Sequence, residues 1–190
     1  NEITSFASVK TMEKQEAIEK GLYHTIGQEI DERYMEELQK LVVNQKAIDE
    51  MQKDLKIVYT PLHGTGNIPV QTILKKLGFE NVYVVLEQEK PDGNFPTVDY
   101  PNPEDPKAFT LALKLANKVD ADIVLANDPD ADRLGVYVKD TKTKEYIQFN
   151  GNMTGNLLAE YILSYSGIYT VLSISTITSL SLLHLVISMR

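Results

Sequence analysis

The sequence predicts a three-layer α/β/α domain with a mainly parallel sheet and an antiparallel edge hairpin. Three observations carry this expectation. Apolar, β-rich runs at 55–60, 82–87 and 121–127 are separated by helix-periodic stretches, the arrangement of consecutive parallel strands joined by right-handed crossovers. Two shorter alternating runs, "LGVYVKD" and "EYIQF", are joined by the polar "TKTK" and read as a hairpin on the sheet edge. The length, 190 residues, suits one such core with flanking pieces but is short for a multidomain enzyme.

Taken in order, residues 1–30 show no sustained period, and "GLYHTIGQEI" suits a connector lying on a neighbour. From Asp31, a candidate N-cap, Tyr34, Leu38, Leu41, Val42, Ile48 and Leu55 fall near one stripe, as in a helix covering a sheet. "LKIVYT" (55–60) is the first strand, "PLHGTGN" a turn, and "IPVQTILKKLG" a helix with Gly78 at its C′ position. "VYVVLE" (82–87) is the second strand and is followed by the Pro/Gly/Asn-rich "QEKPDGNFPTVDYPNPE". "DPKAFTLALKLANKV" offers Asp105 as N-cap and Pro106 at the first helical position, and leads to the third strand, "ADIVLAN" (121–127). After the hairpin, "NGNMTGNLLAEYIL" starts another helical pattern, and a domain boundary is expected near Asn150. From residue 161 to residue 189 there is no Asp, Glu, Lys or Arg. The many hydroxyls in that stretch make it a poor membrane span and fit part of a second core or a foreign tail.

Composition narrows the function. The net charge is -8, with 27 acidic against 19 basic residues and no strong Lys/Arg cluster, which argues against nucleic acid as a partner. Cysteine is absent, so any metal must take oxygen or imidazole ligands, and a cytoplasmic setting fits. "NEITSFASVK" lacks the basic start and apolar core of a signal peptide.

In a parallel sheet, loops at the carboxyl ends of the strands face the ligand. "PLHGTGN", "QEKPDGNFP" and "DPDADR" all leave such ends, so they are expected to meet. In "DPDADR", Asp128, Asp130 and Asp132 would repel one another by about 1 kcal/mol per pair at 4 Å in water, and by several times that at a partly buried site. A hard cation would offset this, Mg²⁺ first and Ca²⁺ or Mn²⁺ next. An EF-hand is excluded, because its sixth position would be Arg133 instead of Gly and its twelfth Lys139 instead of Glu. An acidic pair of the kind that binds nucleotide sugars stays open, as does a solvated acidic turn. Arg133 beside a metal calls for an anion such as phosphate, or else it balances the aspartates as a salt bridge. "LHGTG" could bind an anion at a helix N-terminus, although it is neither a dinucleotide fingerprint nor a P-loop. His63 is a candidate for proton transfer or phosphate contact, and equally for a buried residue that fixes the turn.

"TPLHGTG", "PDGNFPTVDYPNPE", "DPDADRLGV" and "NGNMTG" occur in the order seen in the α-D-phosphohexomutases, the phosphoglucomutase/phosphomannomutase family. The chain resembles that family from about residue 20 to residue 163, most of all its bacterial phosphoglucomutases. The resemblance implies residues 1–30 as linker from a first domain, 31–149 as the metal-binding domain II and 150–190 as the truncated start of domain III with an atypical tail. It implies Mg²⁺ on Asp128, Asp130 and Asp132, with Arg133 contacting the transferred phosphoryl group or its serine loop. The implied reaction interconverts glucose 1-phosphate and glucose 6-phosphate through a phosphoserine and a bisphosphorylated sugar. Phosphomannomutase or phosphopentomutase activity is the alternative, and a non-catalytic divalent-metal module is the second. Hexose phosphate and domains I, III and IV are the implied partners, with no nucleic acid or membrane. The Ser-His-Asn-Pro stretch of the family's phosphoserine loop is missing from these residues, so the chain alone is expected to be inactive.

Overall fold

The computed structural model describes residues 5–166, so the expectations for the charge-free tail from 167 to 190 lie outside the described residues. The chain separates into two units, Asn1–Tyr34 and Met35–Arg190.

In the first unit, Phe6–Ser8 forms a 3₁₀ turn capped by Ser5, and Lys14–Glu19 forms a short helix, α1. The stretch expected to lack regular structure thus contains a helix of six residues. Its support is local: Lys20 pairs with Glu16, and the Lys14 ammonium lies 5.1 Å from the Tyr23 ring centroid. Helix α2, Gln28–Lys40, begins in this unit.

The single stripe expected from Asp31 to Leu55 is two helices, α2 and α3 (Gln45–Met51). Asp31 lies inside the first turn of α2, where its charge suits the helix dipole, and does not cap it. The break falls at 41–44, where Asn44 accepts the Ala47 amide at 3.2 Å and starts a new helix.

Among the described residues the second unit has five strands: β1 (Lys56–Thr60), β2 (Asn81–Val84), β3 (Ile123–Asn127), β4 (Leu134–Lys139) and β5 (Tyr146–Phe149). Their spatial order is β2-β1-β3-β4-β5. β1 is parallel to both neighbours, whereas β4 and β5 run antiparallel at one edge, as expected. Between the strands stand α4 (Asn67–Lys76), the short α5 (Leu86–Glu89) and α6 (Thr110–Val119), and α7 (Gly151–Ser166) follows β5.

Alternation along the strands divides the core into two faces. Ile57, Tyr59, Ile123, Leu125 and Val136 point to one side, where Met35, Ile48, Ile73, Leu74 and Leu158 from α2, α3, α4 and α7 cover them. Val58, Val124, Ala126 and Tyr137 point to the other, against Ala112 and Ala116 of α6 and against Phe109. The small alanines let α6 approach the sheet closely, and Phe109 packs on Tyr137 with ring centroids 4.7 Å apart.

Caps behave largely as the residue types dictate. Gly78 follows α4 at φ +89°, a conformation that suits glycine. Asp105 accepts the Lys107 amide at 2.9 Å, but Pro106–Phe109 first forms a 3₁₀ turn before α6 begins at Thr110. The second strand ends at Val84, short of the expected Glu87. The Val85 amide makes one more bond to the Tyr59 carbonyl, and the chain then coils into α5 with Gln88 fully buried.

Candidate metal centre

The order β2-β1-β3 reverses the direction of chain progression at β1, so a crevice opens at the carboxyl ends of β1 and β3. The loop after each strand enters it. Thr65 donates from its amide to the Pro129 carbonyl at 2.8 Å and from its hydroxyl to the same oxygen at 3.1 Å. Gly64 lies against Pro129 so closely that a Cβ there would be 2.4 Å from the Pro129 Cα. The loop after β2 joins through His63, whose amide donates to the Gln88 carbonyl at 2.9 Å and whose carbonyl accepts the Asp92 amide at 3.1 Å. The three loops expected to meet do meet.

The acidic loop turns sharply. Asp128 follows the last residue of β3, the Ala131 amide donates back to its carbonyl at 3.0 Å, and Ala131 itself is left-handed at φ 61°. The turn leaves Asp128 fully buried and lifts Asp130 and Asp132 into solvent. One carboxylate oxygen from each of the three lies within 4.8 Å of the others.

Arg133 closes the loop. Its amide donates to Asp128 Oδ1 at 2.9 Å, its Nε to Asp128 Oδ2 at 2.6 Å and its Nη1 to Asn102 Oδ1 at 3.2 Å. Asp132 Oδ1 stands 3.6 Å from the same Nε. The Arg133 side chain stays 46% exposed, so the guanidinium sits at the mouth of the loop with its plane fixed by two partners. Beneath it, Asn127 Nδ2 donates to the Arg133 carbonyl at 2.8 Å, and the buried Tyr59 hydroxyl reaches Asn127 Oδ1 at 3.3 Å. Asn127, Asn102 and Tyr59 are supports that reading the sequence missed. Asn127 carried a signal, a polar residue ending an otherwise apolar strand, whereas Asn102 lay within the motif "PDGNFPTVDYPNPE" with nothing to single it out there.

The electrostatics follow from these contacts. Burial alone would push the Asp128 carboxyl up, but the Arg133 amide and guanidinium outweigh it and hold the group below the usual carboxylate range. Asp132 moves the other way, raised by its hydrogen bond to Asp128 and by the charges of Asp128 and Asp130. Arg133 is raised by its bond to Asp128.

An all-oxygen donor set of this kind fits a hard divalent ion. Three carboxylates with one guanidinium leave a residual double negative charge, which such an ion would balance. Each Asp128 oxygen already accepts one bond and still has a lone pair to offer. His63, in the loop after β1, is buried and turns its ring to Lys90 and Thr97 of the segment after β2.

Residues 32–142 match the family described as phosphoglucomutase/phosphomannomutase, alpha/beta/alpha domain II. The chain belongs to the phosphoglucomutase/phosphomannomutase family. Among curated relatives of this family member, a Staphylococcus epidermidis phosphoglucomutase is 41% identical over 143 residues, covering 75% of this chain and 25% of that protein. A Saccharomyces cerevisiae phosphoribomutase is 39% identical over 153 residues, covering 76% of this chain and 24% of that one. The chain therefore spans about a quarter of the length of the relatives it matches. A crystal structure from Thermus thermophilus shares the fold with a TM-score of 0.60 at 24% identity, over 75% of this chain and 30% of that chain.

Proposed function

We propose that these residues are the metal-binding domain II of a cytoplasmic phosphoglucomutase, residues 31–149, preceded by a linker from a first domain and followed by the start of a third. Asp128, Asp130 and Asp132 hold Mg²⁺, and Arg133 meets the transferred phosphoryl group at the mouth of the loop. The observation that carries this reading is the convergence of the three carboxylates, within 4.8 Å, at the crevice of a domain of this family.

The chain's own residues supply binding and orientation. Asp128 is the fixed ligand, held by two bonds from Arg133 and by the end of β3. Asp130 and Asp132, exposed on the turn, can swing to complete a coordination sphere. Arg133, restrained through Nε and Nη1, presents a cation of set orientation to a phosphate oxygen. Bound there, the divalent ion would withdraw charge from a phosphoryl oxygen during transfer. The serine that carries the phosphoryl group, the sugar-selecting residues and the phosphate clamp belong, in this reading, to domains I, III and IV, and the 190 residues alone turn over no substrate.

Glucose phosphate is the preferred substrate because phosphoglucomutases stand among the relatives at 41% identity. The yeast relative's name makes a pentose phosphate the rival. The metal role is tested by replacing domain II of the Staphylococcus epidermidis enzyme with residues 32–142 of this chain and assaying glucose 1-phosphate with and without Mg²⁺, and the sugar is decided on the full-length parent with glucose, mannose and ribose phosphates. The chimera is expected to isomerise glucose 1-phosphate in a Mg²⁺-dependent way. Asp130→Ala should abolish that activity and weaken Mg²⁺ binding by the 190-residue chain while leaving its fold largely intact. An Asp130→Ala chain that binds the ion as tightly as the parent would sink the metal assignment and leave a family domain without this role.

A further inference from the structure

His63 is buried, and both of its ring nitrogens are engaged: Nδ1 lies 3.1 Å from the Lys90 carbonyl oxygen and Nε2 lies 2.8 Å from Thr97 Oγ1. A carbonyl oxygen can only accept, so Nδ1 carries a proton and donates it. The remaining directions then follow. In a neutral ring Nε2 is then the acceptor, so the Thr97 hydroxyl donates to it, while Gln88 Nε2 donates to Thr97 Oγ1 at 3.1 Å. At its other end Gln88 Oε1 accepts from Thr60 Oγ1 at 2.7 Å, and that hydroxyl oxygen accepts the Leu62 amide at 3.1 Å. The relay runs from Leu62 through Thr60, Gln88, Thr97 and His63 to Lys90 with every proton assigned, provided the imidazole is neutral.

The backbone explains what the relay offsets. Leu62 and His63 are consecutive left-handed residues, at φ 47° and 62°, and neither is glycine. Such a pair persists when surrounding bonds hold it. The strained turn aims Gly64 and Thr65 at Pro129, between Asp128 and Asp130.

We propose that His63 is a positioning residue of the metal centre: a neutral, Nδ1-protonated imidazole that pins the loop after β1 to the segment 88–97 and thereby holds the 64–65 backbone against Pro129. This inference rests on the metal-binding reading of the acidic loop. It assigns His63 neither proton transfer nor phosphate contact.

The test uses the whole 190-residue chain, with Mn²⁺ as the probe ion and ¹⁵N-labelled histidine followed by NMR. His63→Ala removes the relay. His63→Asn keeps a donor near the Nδ1 position and tolerates a left-handed backbone. Thr97→Val removes the hydroxyl from an exposed position and leaves the histidine in place. Groups that orient metal ligands are worth about ten- to a hundred-fold in affinity, so His63→Ala is expected to weaken Mn²⁺ at least about ten-fold. His63→Asn should retain most of the affinity, and the parent's His63 should show the neutral Nδ1–H tautomer at pH 7, with its Nε2 resonance shifted by Thr97→Val. A His63→Ala chain that binds Mn²⁺ like the parent overturns the proposal, as does an Nε2–H tautomer in the parent. If His63→Ala does not fold, Thr97→Val decides: an unmoved Nε2 resonance with unchanged Mn²⁺ affinity is also fatal. Equal Mn²⁺ binding by the parent and Asp130→Ala would instead show that the underlying metal reading had failed, and the positioning role would go with it.

Discussion

Gly64→Ala probes the contact between the loops after β1 and β3 most directly. The added Cβ would stand 2.4 Å from Pro129 Cα, 2.5 Å from its carbonyl oxygen and 2.8 Å from its carbonyl carbon. Carbon atoms pack comfortably at about 3.5 Å, so the loops must part by about 1 Å. All three neighbours are backbone, and no side-chain rotation can relieve the overlap. Overpacking of this kind costs about 1–3 kcal/mol. The Thr65 amide bond to Pro129, 2.8 Å in the parent, would stretch towards the limit of a hydrogen bond, adding about 1 kcal/mol. With a urea slope of about 2 kcal/mol/M for a domain of this size, the midpoint should fall by about 1–2 M. The same movement displaces Asp128 and Asp130, so Mn²⁺ affinity measured by calorimetry should fall about ten-fold or more. An alanine variant with the parent's urea midpoint and the parent's Mn²⁺ affinity would show that the two loops do not bear on one another as described.

Arg133→Met leaves the buried Asp128 carboxylate without its guanidinium and should cost about 2–3 kcal/mol near pH 7, read from urea midpoints, with added Mg²⁺ narrowing the gap. The Asp128 carboxyl is depressed in the folded protein, so its stabilisation is fully present above the ordinary carboxylate value, about pH 4, and is lost as pH falls through the lower folded value. A urea midpoint that declines below about pH 4 in the parent and declines less steeply in Asp128→Asn is the expected pair of profiles. Leu158→Ala, buried in the same core cluster as Ile57 and Leu125, should destabilise the sheet by about 2–5 kcal/mol in a single urea transition. A separate early transition would mean that α7 is not part of that cooperative unit.

The sheet was legible because its signals are local. Each of β1 and β3 is apolar on both faces over five residues, β4 and β5 alternate, and the polar "TKTK" between them announces the return of the chain. The acidic loop was legible for the same reason, since its three carboxylates and Arg133 lie within six residues. What escaped the sequence depends on partners far along the chain. Gln88 turns inward to meet Thr60, 28 positions earlier, and the strand therefore stops at Val84 although Val85 and Leu86 would extend the pattern. His63 finds Lys90 and Thr97, and Arg133 finds Asn102 across 31 positions. The split between α2 and α3 is a different case, because Asn44 ahead of "QKAID" was a visible cap that the apolar stripe on either side obscured.

The pairing of Asn127 with Leu134 encloses the whole acidic loop between two strands that are neighbours both in sequence and in the sheet. Contacts this short in range close quickly, whereas β1 must wait for β3 across more than sixty residues. The aspartates and their mutual repulsion thus belong to one short hairpin and not to a contact between distant segments. Arg133 belongs to the same hairpin, so the compensating charge arrives with the charges it compensates. A cation borrowed from another part of the chain would have left the turn to assemble against its own field.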